Sequence, residues 1–173
     1  KSGGTLPALA AGVPRRERAT PSGAKKKQST PVTHSAGGME FGSEVHAAFE
    51  KVGWVDETPP TLPSGGAGSL VSSLLTIPNL RPLFERNGRQ IELLREQPVD
   101  AVLHGKWLSG VIDRLHLHRD EAGAVTRVEV IDFKTDALDD PGLLVERYSG
   151  QMNAYREVME LAYPEAKVTC GLL

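Results

Sequence analysis

The stretch Trp107–Thr135, WLSGVIDRLHLHRDEAGAVTRVEVIDFKT, decides how the rest of the chain is read. Trp107 to His118 carries Val111, Ile112, Leu115 and Leu117 at strand-like density. Arg119–Gly123 is a polar turn whose Gly123 can take a positive φ, and Val125 to Phe133 is a return strand. Side chains on a strand alternate between faces. That alternation puts Val111, Asp113, Leu115 and Leu117 on one face, and Val128, Val130, Asp132 and Lys134 on one face of the return strand. Folding about Ala122–Gly123 leaves Asp113 and Asp132 about equally far from the turn. The spacing therefore predicts two carboxylates side by side on an apolar face. Like charges in opposition destabilise a sheet, and a half-buried carboxylate is costly unless paired. Lys134 supplies one compensating charge, and a divalent cation would supply the rest, because hard cations prefer carboxylate oxygen. The alternative is a solvated antiparallel face with an ordinary Asp–Lys surface pair; spacing alone leaves both open.

Working outward, Glu40 to Val52 is predicted helical, with Phe41, Val45, Ala48, Phe49 and Val52 as its apolar stripe and Gly53 as its stop. His46 borders that stripe. Trp54 to Ser69 reads as a Pro/Gly-rich surface loop. Leu70–Ile77 and Asn79–Arg86 read as two short helices broken at Pro78. Gly88–Glu96 is a predicted strand that resumes over Val99–His104, with Pro98 expected to interrupt its ladder. Glu96 stands at the end of the first part, where the pattern alone reads it as an exposed strand-end residue. Beyond the hairpin, Asp139-Asp140-Pro141 is a helix start, with Asp as N-cap and Pro in the first turn. The helix is expected to run to Tyr163 and stop at Pro164. Its stripe is Leu144, Tyr148, Gln151, Met152, Tyr155, Met159 and Ala162. Gln151 is a polar intruder there and needs partners if buried; one reading is a boundary residue capping a neighbouring backbone group. Lys167–Leu173 is a final strand, parallel to an earlier one because a helix separates them.

Composition sets the frame. The chain has 173 residues, 39% hydrophobic and 24% charged, enough for one globular domain with a core. Its one cysteine, Cys170, allows no intrachain disulfide and fits a reducing compartment. No apolar run approaches the roughly 18 residues of a membrane span, and no signal-peptide core is visible, so a cytoplasmic protein without a membrane anchor is expected. Charge is uneven. Residues 1–38 hold seven Lys/Arg and one Asp/Glu, whereas the remainder holds 13 basic and 21 acidic residues. The first segment has almost no large apolar residue and is expected to be a disordered basic linker, either solubilising or able to touch phosphate through Arg15, Arg16, Arg18 and Lys25–Lys27. The folded domain is expected over 39–173. An acidic body is unusual for a phosphate binder acting alone. The chain does not open on methionine and is expected to be a piece of something longer.

Three motifs in order carry a resemblance: Gly110-x-x-Asp113-Arg114, Asp132-Phe133-Lys134-Thr135, and Tyr148-x-x-Gln151-x-x-x-Tyr155. Together they resemble the RecB-type nuclease domain of the PD-(D/E)xK superfamily, over roughly Met39–Leu173. A lone Asp-x-Lys would carry no weight. Gly42-x-x-x-His46 is similar to the family's histidine-bearing helix. The resemblance implies an α/β fold with a restriction-endonuclease-like αβββαβ core, a mixed sheet flanked by helices. It implies the C-terminal nuclease domain of a UvrD/RecB/AddA-like helicase-nuclease, with a helicase motor in the same chain or complex and DNA ends as substrate in recombination and repair. It implies a Mg²⁺ or Mn²⁺ ion held by His46, Asp113, Asp132 and the carbonyl of Phe133, with Glu96 as an additional acidic residue. Lys134, Gln151 and Tyr155 would be catalytic alongside the two aspartates, and Arg114, Tyr148 and Gln151 would contact substrate. Relatives with an iron–sulfur cluster use four cysteines; one cysteine here implies none. Two other classes stand beside a metal-dependent exonuclease. One is a catalytically silent nuclease fold kept as a DNA-binding or scaffold module. The other is an unrelated carboxylate–metal hydrolase of small substrates, which leaves Gln151-x-x-x-Tyr155 unexplained.

Overall fold

The computed structural model describes residues 18–19, 36–135 and 141–173. Its elements in chain order are β1 (Arg18–Ala19), α1 (Ala36–Glu50), α2 (Gly66–Leu74), a short 3₁₀ turn (Arg81–Phe84), β2 (Ile91–Leu103), β3 (Lys106–Arg119), β4 (Val125–Asp132), α3 (Pro141–Ala162) and β5 (Lys167–Leu172). The main sheet runs β2-β3-β4-β5. The first three strands are antiparallel, and β5 joins β4 in parallel through the α3 crossover. This mixed sheet with its helices is the expected α/β, restriction-endonuclease-like αβββαβ core. The two-residue β1 pairs in parallel with Trp107 and Leu108, a part of β3 that β4 does not reach.

The central hairpin forms as its sequence dictates. Asp120 Oδ1 accepts the N–H groups of Ala122 and Ala124 at 3.0 and 2.9 Å, and Gly123 takes φ +84° to close the turn. On one side of the sheet, Leu115, Leu117, Val128 and Val130 pack against Met152, Tyr155, Val158 and Met159 of α3. A second core gathers Val45, Ala48 and Phe49 of α1, Val71 of α2, and Phe84, Ile131 and Phe133. Each buried Val, Leu, Ile, Phe or Met among them contributes about 1.5–3 kcal/mol relative to exposure.

Several boundaries differ from expectation. Helix α1 begins at Ala36, inside the segment expected to be a disordered linker, and β1 also lies in that segment; the rest of 1–35 is outside the described residues, as is the proposed Asp139–Asp140 cap. Helix α2 begins at Gly66, within the expected loop. A Cβ at Gly68 would stand 1.9 Å from the Pro63 carbonyl oxygen, so this glycine permits close packing and is not a loop residue. The second predicted short helix is a four-residue 3₁₀ turn. Pro98 does not interrupt β2. It pairs opposite Val111, and among the described residues β2 pairs only with β3, so proline's missing N–H breaks no ladder on the outer edge. Ala162 and Phe41 are exposed members of otherwise buried stripes.

The irregularity in β2 falls at Glu96, which takes φ +48°. Register is the same on either side, Arg95 opposite Arg114 and Gln97 opposite Ile112. The inward face nevertheless changes here. Leu94, Leu115 and Leu117 enter the α3 core on one side of this level, and Val99, Leu108 and Ile112 on the other, while Val111 is 43% exposed. Strict alternation through Val111, Asp113 and Leu115 therefore fails at Asp113.

Candidate metal and active site

The β3–β4 ladder pairs Leu115 with Val130 and Arg114 with Ile131. One further step brings Asp113 opposite Asp132, and the β2–β3 register brings Glu96 opposite Asp113. Three strands thus deliver three carboxylates to one level of the sheet, just where β4 ends and β2 twists.

Each carboxylate is held by different means. Asp113 Oδ2 accepts the backbone N–H of Phe133 at 2.6 Å and lies 3.6 Å from His46 Nδ1. Asp132 is 2% exposed. Its Oδ1 accepts Gln151 Nε2 at 3.1 Å, and its Oδ2 pairs with the Lys134 ammonium. Burial pushes the Asp132 carboxyl up; Lys134 opposes that shift and Asp113 adds to it. Glu96 is also raised, first by burial, then by Asp113 and Glu50. His46 is raised chiefly by its interaction with Asp113, against the effect of burial.

The surrounding elements explain why these groups meet. Gly42 lets α1 approach the end of β4, since a Cβ there would stand 2.6 Å from Thr135 Oγ1. His46, one turn on, then faces Asp113, and the ring of Phe133 stacks on Phe49 at 4.2 Å. The backbone after Asp132 is fixed by the final residue of the chain: Lys134 N donates to Leu173 O at 2.7 Å, and Leu173 N donates to Asp132 O at 3.1 Å. From α3, Tyr148 lies buried beneath Lys134, whose Nζ sits 4.6 Å from the ring centroid. Gln151 Nε2 also reaches Tyr155 Oη at 3.3 Å, and Tyr155 Oη donates to Val111 O. Burial raises the Tyr155 hydroxyl to about 12, keeping it a donor. Gln151 Oε1 is a buried acceptor with no donor among the described residues.

The structure therefore brings His46, Glu96, Asp113, Asp132, Lys134, Gln151 and Tyr155 together, with Phe133 and Tyr148 as their support. Arg114 does not join them. Its side chain is 1% exposed and turned to the other face. There it donates to Val52 O at 2.8 Å, Gly53 O at 3.3 Å and His116 Nε2 at 2.8 Å, between the rings of Trp54 and Phe84. A guanidinium so enclosed cannot meet substrate, and the expectation that Arg114 binds it is corrected.

Among the described residues no three ligand atoms of His46, Glu96, Asp113 and Asp132 lie within 4.8 Å of one another, but the donor types at the carboxylate level, acidic oxygens and an imidazole against a single ammonium, suit a divalent cation. A second cluster goes unnoticed in the sequence. His116, His118 and Glu129 place their ligating atoms within 4.8 Å of one another on the Arg114 face. Its one sequence signal is His116-x-His118, two residues on one side of β3. This cluster is already closed. Arg114 donates to His116 Nε2, so the ring proton is on Nδ1 and points to Glu129 Oε2 at 3.2 Å. Arg127 meets Glu129 Oε1 at 2.6 Å. A metal-bound histidine normally offers its far N–H to an acceptor; here a donor occupies that place.

Comparison with known proteins gives relatives of one kind. The chain is 28% identical over 177 aligned positions to an ATP-dependent helicase/nuclease subunit of Streptococcus suis (strain 98HAH33), an alignment covering 92% of this chain and 13% of that protein. It is 24% identical over 143 positions to the subunit of the same name in Streptococcus pneumoniae (strain Hungary19A-6), and equally to an exonuclease/helicase subunit RexA of S. pneumoniae serotype 4, covering 73% of this chain and 11% of each. The chain thus spans little more than a tenth of these relatives. No protein-family model matches it. No helix among the described residues is long and apolar enough to cross a membrane. The chain is similar, along most of its length, to a short part of helicase/nuclease subunits.

Proposed function

We propose that this chain is a metal-dependent nuclease domain that hydrolyses phosphodiester bonds of DNA, acting on DNA ends in recombination or repair beside a helicase motor. The observation that carries the reading is the convergence of Asp113, Asp132, His46 and Lys134 at one level of the sheet. The names of the relatives support the same direction. Asp113, Asp132 and His46 would hold Mg²⁺ or Mn²⁺, with the Phe133 carbonyl and Glu96 as further oxygen donors. When bound, such an ion acidifies a coordinated water and neutralises phosphate charge.

The chain's own residues do the rest. Lys134, anchored on Asp132 and above Tyr148, presents an ammonium to the attacking water or to the non-bridging phosphate oxygen, where negative charge grows. Gln151 fixes Asp132 Oδ1, which leaves Oδ2 facing Lys134. Tyr155, tied to Val111 O, fixes Gln151 in turn; both are positioning residues. A water oxygen attacks phosphorus, one P–O ester bond breaks, and the departing oxygen takes up a proton.

The test is cleavage of linear single- and double-stranded DNA with Mn²⁺ or Mg²⁺, with Lys134→Ala and Asp132→Ala alongside. Activity in the parent, lost with chelator and reduced at least 10²-fold in both variants, is expected from the loss of one positioned charge. Absent cleavage together with absent Mn²⁺ binding by calorimetry would instead support a silent, scaffolding nuclease fold.

A further inference from the structure

The domain over residues 39–173 is acidic, with 13 Lys/Arg against 21 Asp/Glu. Its positive charge is concentrated. A cleft of about 780 Å³ beside β2 is lined by Arg86, Arg89, Arg95 and Arg119, with only Glu57 and Glu92 as acids. A second cleft of about 600 Å³ shares Gly53 and Arg95 with the first and adds Lys51. Five of the domain's 13 cations therefore line two adjoining clefts, taken together as one depression, whose lining includes two carboxylates.

Those two carboxylates are engaged, Glu57 with Arg86 at 3.1 Å and Glu92 with Arg119 at 2.7 Å. Arg89 and Arg95 donate to backbone carbonyls instead, Arg89 to Glu85 O and Arg86 O and Arg95 to Glu50 O. Among the described residues neither forms a salt bridge. The carboxylate of Asp56, whose charge Arg89 feels, is tied down by the N–H groups of Arg86 and Asn87. Arg95, opposite Arg114 in the β2–β3 ladder, stands on the Arg114 face one rung from Glu96 and Asp113, and the link to the carboxylates runs along α1: Arg95 binds the Glu50 carbonyl, one turn from His46, which faces Asp113. From Ile91 to Arg95 the track is about 13 Å long at a strand's rise. That length spans about two or three consecutive phosphates of one strand, in keeping with two arginine contacts.

We propose that this depression binds the phosphate backbone of the DNA strand whose scissile bond lies at Asp113 and Asp132, with Arg89 and Arg95 as phosphate contacts; the inference rests on the nuclease reading for its substrate. An acidic domain thereby acquires a defined route for a polyanion, repelled elsewhere on its surface.

The test is binding of a fluorescein-labelled 20-nucleotide single strand to the 173-residue chain in chelator, as a function of salt, so that no cleavage intervenes. Arg89→Ala/Arg95→Ala is compared with Arg156→Ala/Lys167→Ala, changes on α3 and on β5 at the far edge of the sheet. The expected result is at least tenfold weaker binding for the first pair. Its log K against log salt should be shallower by about 1.4, two contacts at ~0.7 each. The control pair should behave as the parent. Unchanged affinity and slope, or no binding by the parent, overturn the track. Photo-crosslinking of the parent to a bromouracil-substituted strand is independent of the variants' folding: adducts within 51–61 and 86–95 or at Arg119 support the track, and adducts confined elsewhere overturn it. The two readings fail separately. Normal DNA binding through this track with neither Mn²⁺-dependent cleavage nor Mn²⁺ binding sinks the nuclease alone, and cleavage with an unaltered slope sinks the track alone.

Discussion

Replacing Arg114 by methionine separates a structural arginine from a substrate-binding one. Methionine keeps much of the apolar stem and removes the guanidinium. Two buried acceptors, Val52 O and His116 Nε2, each lose a donor at 2.8 Å, and Gly53 O loses a longer one. An orphaned buried acceptor costs about 1–3 kcal/mol. The faces of Trp54 and Phe84, 5.1 and 4.7 Å from the guanidinium carbon, lose a cation worth about 0.5–2 kcal/mol each. Against this, the guanidinium no longer has to be desolvated, a cost visible in its pKa, which burial and then Arg95 draw down to about 9. The net loss is about 2–4 kcal/mol, a large share of a typical 5–15 kcal/mol stability. It should appear as a fall in Tm of about 10 °C for a domain of this size. Urea unfolding should show a lower midpoint at unchanged slope. Arg114→Lys should not rescue it, since a point charge cannot serve two carbonyls and a ring nitrogen at once. Once folded, Arg114→Met should retain the parent's KM for DNA. A variant as stable as the parent, with raised KM, would refute this reasoning and return Arg114 to the substrate.

Two further outcomes follow from the charges. Asp113→Asn keeps an oxygen for the Phe133 N–H but removes a negative charge facing Asp132 and Glu96, so in chelator its Tm should equal or exceed the parent's; the parent should gain about 2.7 kcal/mol from Mn²⁺ at 100 times Kd and the variant little, and equal Mn²⁺ stabilisation of both would sink the ligand assignment. The closed cluster on the other face should set acid stability: burial raises Glu129, but hydrogen bonds from His116 and His118 and the charge of Arg127 outweigh it and leave it at about 2, while burial lowers His116. Both shifts make the unfolded chain bind more protons, so stability is full above pH ~6.5 and falls first through the His116 window, then between ~4.3 and about 2 as Glu129 protonates. Glu129→Gln should flatten that lower limb in urea midpoints measured from pH 2.5 to 7, and an unchanged limb would contradict the assignment.

The hairpin, the long helix and the last strand are legible because their periodicity is local and strong. The juxtaposition of Asp113 and Asp132 is legible because a tight turn with Gly123 fixes register by counting. Other features are set by partners distant in sequence. Arg114 stands in the Gly-x-x-Asp-Arg pattern beside Asp113 and so suggests a neighbour in function, yet one residue along a strand is the opposite face, and its partners Val52 and Gly53 lie 62 and 61 residues away. The Gly-rich run at Gly65–Gly68 signals a loop by composition, while its helical start is decided by contact with Pro63. Pro98 reads as a breaker until β2 is known to be an edge strand. Nothing in a glutamate announces φ +48°, so the twist at Glu96, which turns the hairpin's inward face, has no local signal.

The two polar clusters on opposite faces of the sheet differ in a way that decides which of them is suited to a cation. On the rear face, one carboxylate, Glu129, meets the Arg127 guanidinium and the rings of His116 and His118, and Arg114 donates to the far nitrogen of His116. The unmatched group of this cluster is a donor, the buried Arg127 Nε, which has no acceptor among the described residues, so a further positive charge would have to displace an arginine. On the front face, three carboxylates share one ammonium and one imidazole, and Gln151 adds a buried oxygen with no donor among the described residues. Local rules are broken at this same place: like charges on neighbouring strands, a left-handed glutamate, and a nearly buried aspartate pushed toward its neutral form. Sequences tolerate such conflicts where function requires them, with stability supplied elsewhere in the fold. The rear cluster, the α3 core and the Phe49–Phe133 stack hold the strands in register against that repulsion. A divalent ion between Asp113 and Asp132 would replace the missing positive charge, so the electrostatic imbalance that weakens the apo domain is also what would give its site affinity for metal.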